Sequence, residues 1–262
     1  MSNPSLPPEI LDYIVDLLHD DPEVLRKCCL ASKSWILRTR KHLFACIKFP
    51  TPKILQSWKK AFPDPLNSPA YHTHTLTYYP SAVDVTAVDW IQGFSHVVHL
   101  EVIGRGKLTT QTVASFILFH GFSPVIKSLR AGFVTLPASQ VFDLILSFPL
   151  LENLFVVTYF GALVDDGDGS GVLSTAFQPS NPPPLFTGTL DLSMRGGMEP
   201  ITHRLLSSPG GIHFQRLNLK LFHERDLFST IPLLEGCSYT LKYLSITYKP
   251  TCTSILRLHP HR

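Results

Sequence analysis

The sequence predicts an α/β protein in which a short helical module precedes a longer domain of parallel strands with helices on its outer face. Residues 6–49 show the apolar spacing of helices, interrupted at Asp21-Pro22. From residue 71 onward, strand-like stretches with a central leucine recur at near-regular intervals. Apolar residues make up 44% of the 262 residues and charged residues 16%, which is typical of a folded chain.

The first helix is predicted to begin at the prolines Pro7-Pro8, because N–H groups in a first helical turn have no intrahelical partner. Glu9 lies near this N-terminus, where the helix dipole favours negative charge. The spacing of one apolar face then continues through Ile10, Leu11, Ile14, Leu17 and Leu18.

Two further short helices are predicted in this module. Asp21 is positioned as an N-cap with Pro22 at the first helical position, and Ser32 as the cap of a third helix. All charged residues up to Glu23 are acidic, and all of those from Arg26 to Lys60 are basic. Three helices of this size bury little surface alone, so their remaining apolar face needs a partner or the rest of the chain.

The order of residues in this module resembles the F-box, the helical module through which substrate receptors dock onto a Skp-type adaptor of cullin–RING ubiquitin ligases. The opening stretch looks like the F-box proteins of basidiomycete fungi, in which a helical-repeat or leucine-rich region comes next. The resemblance implies adaptor binding by Leu6, Pro7, Pro8, Glu9, Ile10, Ile14, Leu17, Leu25, Cys29 and Trp35. The alternative is a helical cap that packs only on its own downstream domain.

Residues 50–70 are predicted to be a proline-rich linker between the F-box at 1–49 and a recognition domain at 71–262. Prolines flank a short helical piece that carries Ile54, Leu55, Trp58 and Phe62. We expect its apolar side to pack the helical module onto the recognition domain.

The repeat is defined by leucines at positions 76, 100, 129, 154, 190, 217 and 244, each inside a strand-like stretch. The successive gaps are 24, 29, 25, 36, 27 and 27 residues, most of them in or close to the range of about 20–29 residues for leucine-rich repeats. Helices are predicted at 110–120, 137–148 and 223–234, and Phe148-Pro149 and Ile231-Pro232 are interpreted as helix ends followed by proline.

These intervals favour a leucine-rich-repeat-like solenoid over an ordinary α/β domain with a parallel sheet. The solenoid is predicted to be incomplete at its C-terminal end, because the tail shows apolar residues and no polar cap. Its concave face would carry the residues that flank the leucines. The candidate target-binding residues are His99, Glu101, Arg130, Asp191, Asn218 and Lys220.

No catalytic motif, metal site or cofactor-binding loop is found in the sequence. The stretch 164–171 has part of a calcium loop, but Phe177 stands where the bidentate glutamate belongs. A net charge of +3 gives no strong field for nucleic acid. Five unpaired cysteines, no signal peptide and no membrane-length apolar run predict an intracellular protein, cytoplasmic or nuclear.

The sequence therefore predicts a non-enzymatic substrate receptor of a Skp–cullin–F-box (SCF) ubiquitin ligase. It would bind the adaptor, and through it cullin, with its first module and an unknown protein target with its repeats. Two alternatives remain open: a recognition scaffold that never meets a ligase, and an α/β enzyme with an unrecognised site.

Overall fold

A computed structural model describes residues 7–64, 68–79, 90–104, 125–133, 138–158, 184–195 and 197–249. These ranges contain seven α-helices and eight β-strands. The helices are α1 Pro8–Leu17, α2 Pro22–Ala31, α3 Ile36–Leu43, α4 Pro52–Ala61, α5 Ala138–Leu146, α6 Glu199–Leu206 and α7 Arg225–Gly236. The strands are β1 Cys46–Phe49, β2 Thr75–Tyr78, β3 His99–Ile103, β4 Ser128–Phe133, β5 Asn153–Thr158, β6 Thr189–Met194, β7 Arg216–Leu221 and β8 Tyr243–Tyr248.

The eight strands form one open sheet in which every neighbouring pair is parallel and the strand order follows the chain from β1 to β8. Parallel strands joined in sequence by crossovers of the same hand place their connecting segments on one face of the sheet. Among the described residues, the opposite face carries no connecting helix, and we call it the free face. The prediction of an α/β chain with parallel strands is therefore confirmed.

The predicted leucines occupy a single register row across the sheet, from Leu76 in β2 to Leu244 in β8. Ile47 of β1 continues this row. The strand β1 was not predicted, since residues 46–49 were assigned to the helical module. A second row of core residues lies two positions further along each strand, and includes Val102, Val156 and Leu219.

Residues in these two rows are buried from β1 to β7, while the residues between them are half-buried or exposed, except Thr77 of β2, which is buried. This alternation results from the pleat of a strand, in which successive side chains point to opposite faces. Burying one leucine side chain contributes about 1.5–3 kcal/mol. The row of leucines is thus a main source of stability for the sheet.

The helices agree with the sequence in part. Predicted helices at 137–148 and 223–234 correspond to α5 and α7, the one predicted at 110–120 lies outside the described residues, and α6 was not predicted. Pro232 lies inside α7, which continues to Gly236, so the helix end predicted at Ile231 is wrong. Proline removes the bond to the carbonyl four residues earlier. That residue, Phe228, is exposed, so water can satisfy its carbonyl.

The helical module joins the sheet at β1. The carbonyl of Ala45 accepts hydrogen bonds from the backbone N–H groups of His74 and Thr75, both at 2.9 Å. The hydroxyl of Thr73 donates to the carbonyl of Phe44 at 2.9 Å. Phe44, Trp58 and Phe62 pack against the sheet core, and Trp58 and Phe62 come from the predicted linker helix. The linker helix therefore packs against the sheet, which is one half of the role predicted for it.

Candidate functional site

The surface of the helical module carries large apolar side chains that the described part of the chain leaves exposed. On α1, Ile10 is 46% exposed, Tyr13 63% and Leu17 65%. Positions three and four residues apart lie on one side of a helix, so these three side chains form a stripe. We call these three residues the α1 stripe. Leu30 at the end of α2 and Leu37 on α3 are exposed as well.

The interior of the module is small. Val15, Leu25 and Cys28 are its buried apolar residues among those described on the three helices. Thr39 is buried beside them, and its hydroxyl lies 2.7 Å from the Cys29 sulfur and donates to the carbonyl of Trp35 at 2.6 Å. A core of this size leaves most of the apolar surface of α1 outside it, which is why the stripe is exposed.

A polar cluster fixes α1 against α3. Asp16 accepts a hydrogen bond from Nε of Arg38 at 2.6 Å and a second one from Nη2 of the same side chain. Nε2 of His42 lies 2.7 Å from the same carboxylate. Hydrogen bonds from Arg38 and then His42 hold the pKa of Asp16 well below its usual range. The acidic first helix and basic third helix noted in the sequence are thus joined by one ionic contact.

The predicted adaptor-binding residues fall into three groups. Pro7, Pro8, Glu9, Ile10 and Leu17 are exposed, while Ile14, Cys29 and Trp35 are half-buried. Leu25 is buried in the module, so in this structure it supports the fold and contacts no partner. Leu6 lies outside the described residues.

The caps predicted for the module are present. The Asp21 carboxylate accepts from the backbone N–H groups of Glu23 and Val24, and Ser32 accepts from that of Ser34. Ser32 caps a short 3-10 helix, Lys33–Trp35, that leads into α3. These caps fix where α2 and the segment leading into α3 begin. They therefore help to set the positions of the two helices that pack beside α1.

The second candidate surface is the free face of the sheet. The residues that flank the leucine row project from it, and they include all six predicted target-binding residues. His99, Arg130 and Lys220 are exposed, whereas Glu101, Asp191 and Asn218 are half-buried. These six residues belong to β3, β4, β6 and β7.

Three of them meet at one place. Glu101 accepts a hydrogen bond from the Thr77 hydroxyl at 3.0 Å and lies 3.1 Å from Nε of Arg130. Together with His99 they line an open pocket of about 180 Å³. The pocket is completed by Thr75, Leu100, Ser128 and Phe155. The ion pair is partly exposed, so it adds only about 0.2–1 kcal/mol of stability and mainly orients Arg130.

The other three residues form a separate group. Asp191 is paired in register with Asn218, and Ser193 with Lys220. Between the two groups lies β5, whose Phe155 is in register with Arg130 on one side and Asp191 on the other. Three steps of about 4.8 Å separate β3 from β6, so the groups lie roughly 14 Å apart. The free face therefore offers two polar areas joined by an aromatic residue.

Sequence reasoning missed several residues of both surfaces. Phe155 was predicted to lie in a strand but not on the free face. It is two residues from Asn153, and alternation along a strand puts both side chains on the same face. Tyr13 and Leu37 were not predicted, because apolar spacing along a helix indicates the face that packs and not the apolar side chains left outside it. Their exposure depends on which side of each helix the module buries, and the sequence does not fix that.

Other features of the described residues bear on function. Cys28, Cys29, Cys46 and Cys237 are free thiols, and burial raises the pKa of Cys237. Within the described ranges, no group of three or more His, Cys, Asp or Glu side chains is placed to hold a metal ion. None of the helices described is long and apolar enough to cross a membrane. Comparison with protein-family models, with curated proteins and with solved structures finds no match for this chain.

Proposed function

We propose that this chain is the substrate-recognition subunit of an SCF ubiquitin ligase. In this proposal the helical module is an F-box that binds a Skp-type adaptor, and the sheet is a leucine-rich-repeat-like domain that binds a protein target. The chain itself performs no catalysis. It raises the effective concentration of the target beside the ubiquitin-conjugating enzyme.

The observation that carries the proposal is the exposed α1 stripe. Ile10, Tyr13 and Leu17 lie on a module whose residue order resembles the F-box, and none of the residues that the structure describes buries them. Exposed apolar side chains grouped on one helix mark sites where another protein binds. A cap that packed only on its own downstream domain would have buried this stripe.

The free face of the sheet supports the second half of the proposal. It is broad, mixed in polarity and carries the ordered Glu101–Arg130 pair beside Phe155. The pocket of about 180 Å³ is smaller than the 300–1,000 Å³ usual for small-molecule sites. Its size suits one side chain of a protein target better than a whole metabolite, which favours a receptor over an enzyme.

Adaptor binding is tested with purified proteins. The full chain and a Skp-type adaptor are mixed, and the dissociation constant is measured by calorimetry for wild type and for Leu17→Asp. Leu17 is exposed, so its replacement leaves the module folded. We expect affinity to fall at least about tenfold, because a charge would replace an apolar contact at the centre of the interface.

The matched control is Phe228→Asp, which also places a carboxylate at an exposed apolar site, on α7 of the sheet domain. It should bind the adaptor as wild type does. Absence of adaptor binding by the wild-type chain would reject the ligase assignment and favour a recognition scaffold. Equal loss in both variants would show that the stripe is not the contact.

A further inference from the structure

The last strand of the sheet differs from its neighbour in what it exposes. In β7, Leu217 is 0% exposed and Leu219 1%, whereas their register partners in β8, Leu244 and Ile246, are 42% and 43% exposed. Tyr248, the partner of Leu221, is exposed as well. The face of β8 that continues the sheet core is therefore open to solvent.

Among the described residues, the backbone of β8 also has a side that pairs with no other strand. The N–H groups of Tyr243 and Lys249 donate to carbonyls of Gln215 and Leu221 on the β7 side. In a parallel strand, residues alternate between bonding to one neighbour and to the other. The N–H and C=O groups of Leu244, Ile246 and Tyr248 therefore point away from β7, where they can pair with a further strand.

Natural proteins usually protect such an edge with a charge, a proline or a bulge. The stretch from Tyr243 to Tyr248, YLSITY, contains no charged residue and no proline, and its six residues pair with β7 without a break. Its tyrosines, isoleucine and threonine are favourable strand residues. This edge has the features of a strand that accepts a partner.

Charge indicates which partner fits. Strands β7 and β8 and the residues directly beside them, 215–222 and 242–249, contain the cations Arg216, Lys220, Lys242 and Lys249 and no carboxylate. Arg216 lies over the ring of Tyr243, with 5.8 Å from Cζ to the ring centroid. Lys242 and Lys249 mark the two ends of β8, and both are exposed. A strand laid along β8 would therefore meet positive charge at each end.

We propose that the edge of β8 is a docking site for an extended segment of a partner protein, with an uncharged centre of strand-forming residues and acidic residues at both ends. The segment adds a ninth strand by backbone pairing with Leu244, Ile246 and Tyr248, and its carboxylates contact Lys242 and Lys249. This inference rests on the proposed target-binding role of the sheet and names the class of target.

A second copy of this chain is a poorer occupant. Two β8 strands paired antiparallel about a two-fold axis would bring the Lys242 end of one copy to the Lys249 end of the other, with no carboxylate in either strand to pair with these lysines. The charges gathered at both ends of such a pair are all positive and repel each other. An acidic segment removes this repulsion and replaces it with attraction.

The first test measures hydrogen exchange of individual amides in the full chain by NMR. We expect Leu244, Ile246 and Tyr248 to exchange fast while Ser245 and Thr247, which face β7, exchange slowly. The probe is a synthetic peptide of about eight residues with a valine–threonine centre and two glutamates at each end. Its addition should slow exchange at the three edge amides.

The second test compares dissociation constants for the same peptide. The double variant K242E/K249E should bind about five- to tenfold more weakly, since two favourable surface charge pairs become repulsive. Lys33→Glu, an equally exposed change on the helical module, should leave binding unaltered. A peptide with lysines in place of its glutamates should bind the wild-type chain weakly. Its affinity should be no higher than that of the acidic peptide for the double variant.

Three results would overturn the proposal. Slow exchange at the edge amides before peptide is added would mean that residues 250–262 or a second copy already occupy the edge, and light scattering separates the two. A peptide with the same acidic ends and prolines at its centre cannot pair as a strand. If it bound equally well, the binding would be due to charge alone. If the acidic peptide does not bind, the edge of β8 is not a docking site for such a segment. Adaptor binding is measured separately, and its outcome does not depend on this result.

Discussion

The two ends of the sheet carry similar strands in different surroundings. At the first end, Ile47 and Phe49 of β1 are buried, whereas at the last end Leu244 and Ile246 of β8 are nearly half exposed. All four residues lie on the core side of their strands, in the same two rows. The difference therefore comes from what is packed over each strand and not from the strands themselves.

Aromatic residues close the first end. The ring of Phe49 lies edge-on to Trp58 at 5.7 Å, and to Trp90 and Phe94 at 6.0 Å each. The indole N–H of Trp90 donates to the carbonyl of Phe62 at 2.8 Å, which fixes the ring in place. Trp58 and Phe62 belong to the segment just after β1, so the residues that directly follow the first strand cover it.

The last end has a helix before its strand and no comparable cover over it among the described residues. Leu233 in α7 and Cys237 just after it are buried, and they belong to the same core cluster as Leu217 and Leu219 of β7. Parallel sheets are usually covered, so the apolar side of a strand at either end needs other residues packed over it. The comparison shows that the first cover is built from the chain itself, while the last one is the place where we propose that a partner binds.

The largest expected effect is at the closed end. Phe49→Ala should lower the free energy of unfolding by about 3–5 kcal/mol, because it leaves a cavity among the rings of Trp58, Trp90 and Phe94. Urea denaturation followed by circular dichroism measures this. The matched change Tyr248→Ala at the open end should cost less than about 1.5 kcal/mol. Equal losses would show that the two ends are equally covered in solution.

The next prediction compares two neighbours in the leucine row. Leu217→Ala should cost about 2–5 kcal/mol, as expected for a fully buried leucine. Leu244→Ala removes the same atoms one strand further on, where 42% of the residue is exposed, and should cost about 1 kcal/mol. The measurement is again the midpoint of urea unfolding. A difference below the error of that measurement would mean that β8 is covered in solution.

A third prediction concerns the polar contact that holds α7 beside the open end. The buried carboxylate of Asp226 accepts from the backbone N–H groups of Met198 at 3.2 Å, Phe222 at 3.0 Å and His223 at 2.9 Å. Asp226→Ala leaves these donors unpaired and should cost about 2–3 kcal/mol. Asp226→Asn keeps one acceptor oxygen and should recover part of the loss. Identical values for both variants would contradict this interpretation of the contact.

The repeating part of the fold was predictable because its signal is periodic. Each predicted leucine strand is present, and the leucines from Leu76 to Leu244 lie in one row despite a gap of 36 residues before Leu190. That long connection is closed by Asn153, whose Oδ1 accepts from the N–H of Thr189 at 2.9 Å. Gly188 makes room for it, since a Cβ there would lie 2.4 Å from the same oxygen.

The features that were not predicted depend on contacts between distant residues. Strand β1 has only four residues and comes directly after a helical pattern, so its pairing with β2 is a tertiary effect. Pro232 was interpreted as a helix end, yet burial of Leu233 and Cys237 holds α7 together beyond it. The candidate residues of the free face were predicted by alternation, but the pocket beside Phe155 required the register of four strands, β2 to β5.

The smallest predicted effect concerns the module attached to the closed end. Asp16→Asn should lower stability by about 1 kcal/mol at neutral pH, since the side chains of Asp16 and Arg38 both remain about one-third exposed and solvent screens the pair. The pKa of Asp16 is depressed in the folded state, so its contribution is present above the unfolded pKa of about 4 and is lost as the pH falls toward the folded value. The difference between variant and wild type, measured by urea unfolding at several pH values, should therefore shrink below about pH 4. The control is Asp20→Asn, because the Asp20 side chain is highly exposed and lies 3.2 Å from Nε2 of the exposed His19. It should change stability little at any pH, and a gap between Asp16→Asn and wild type that stays constant with pH would show that the carboxylate acts through packing and not through its charge.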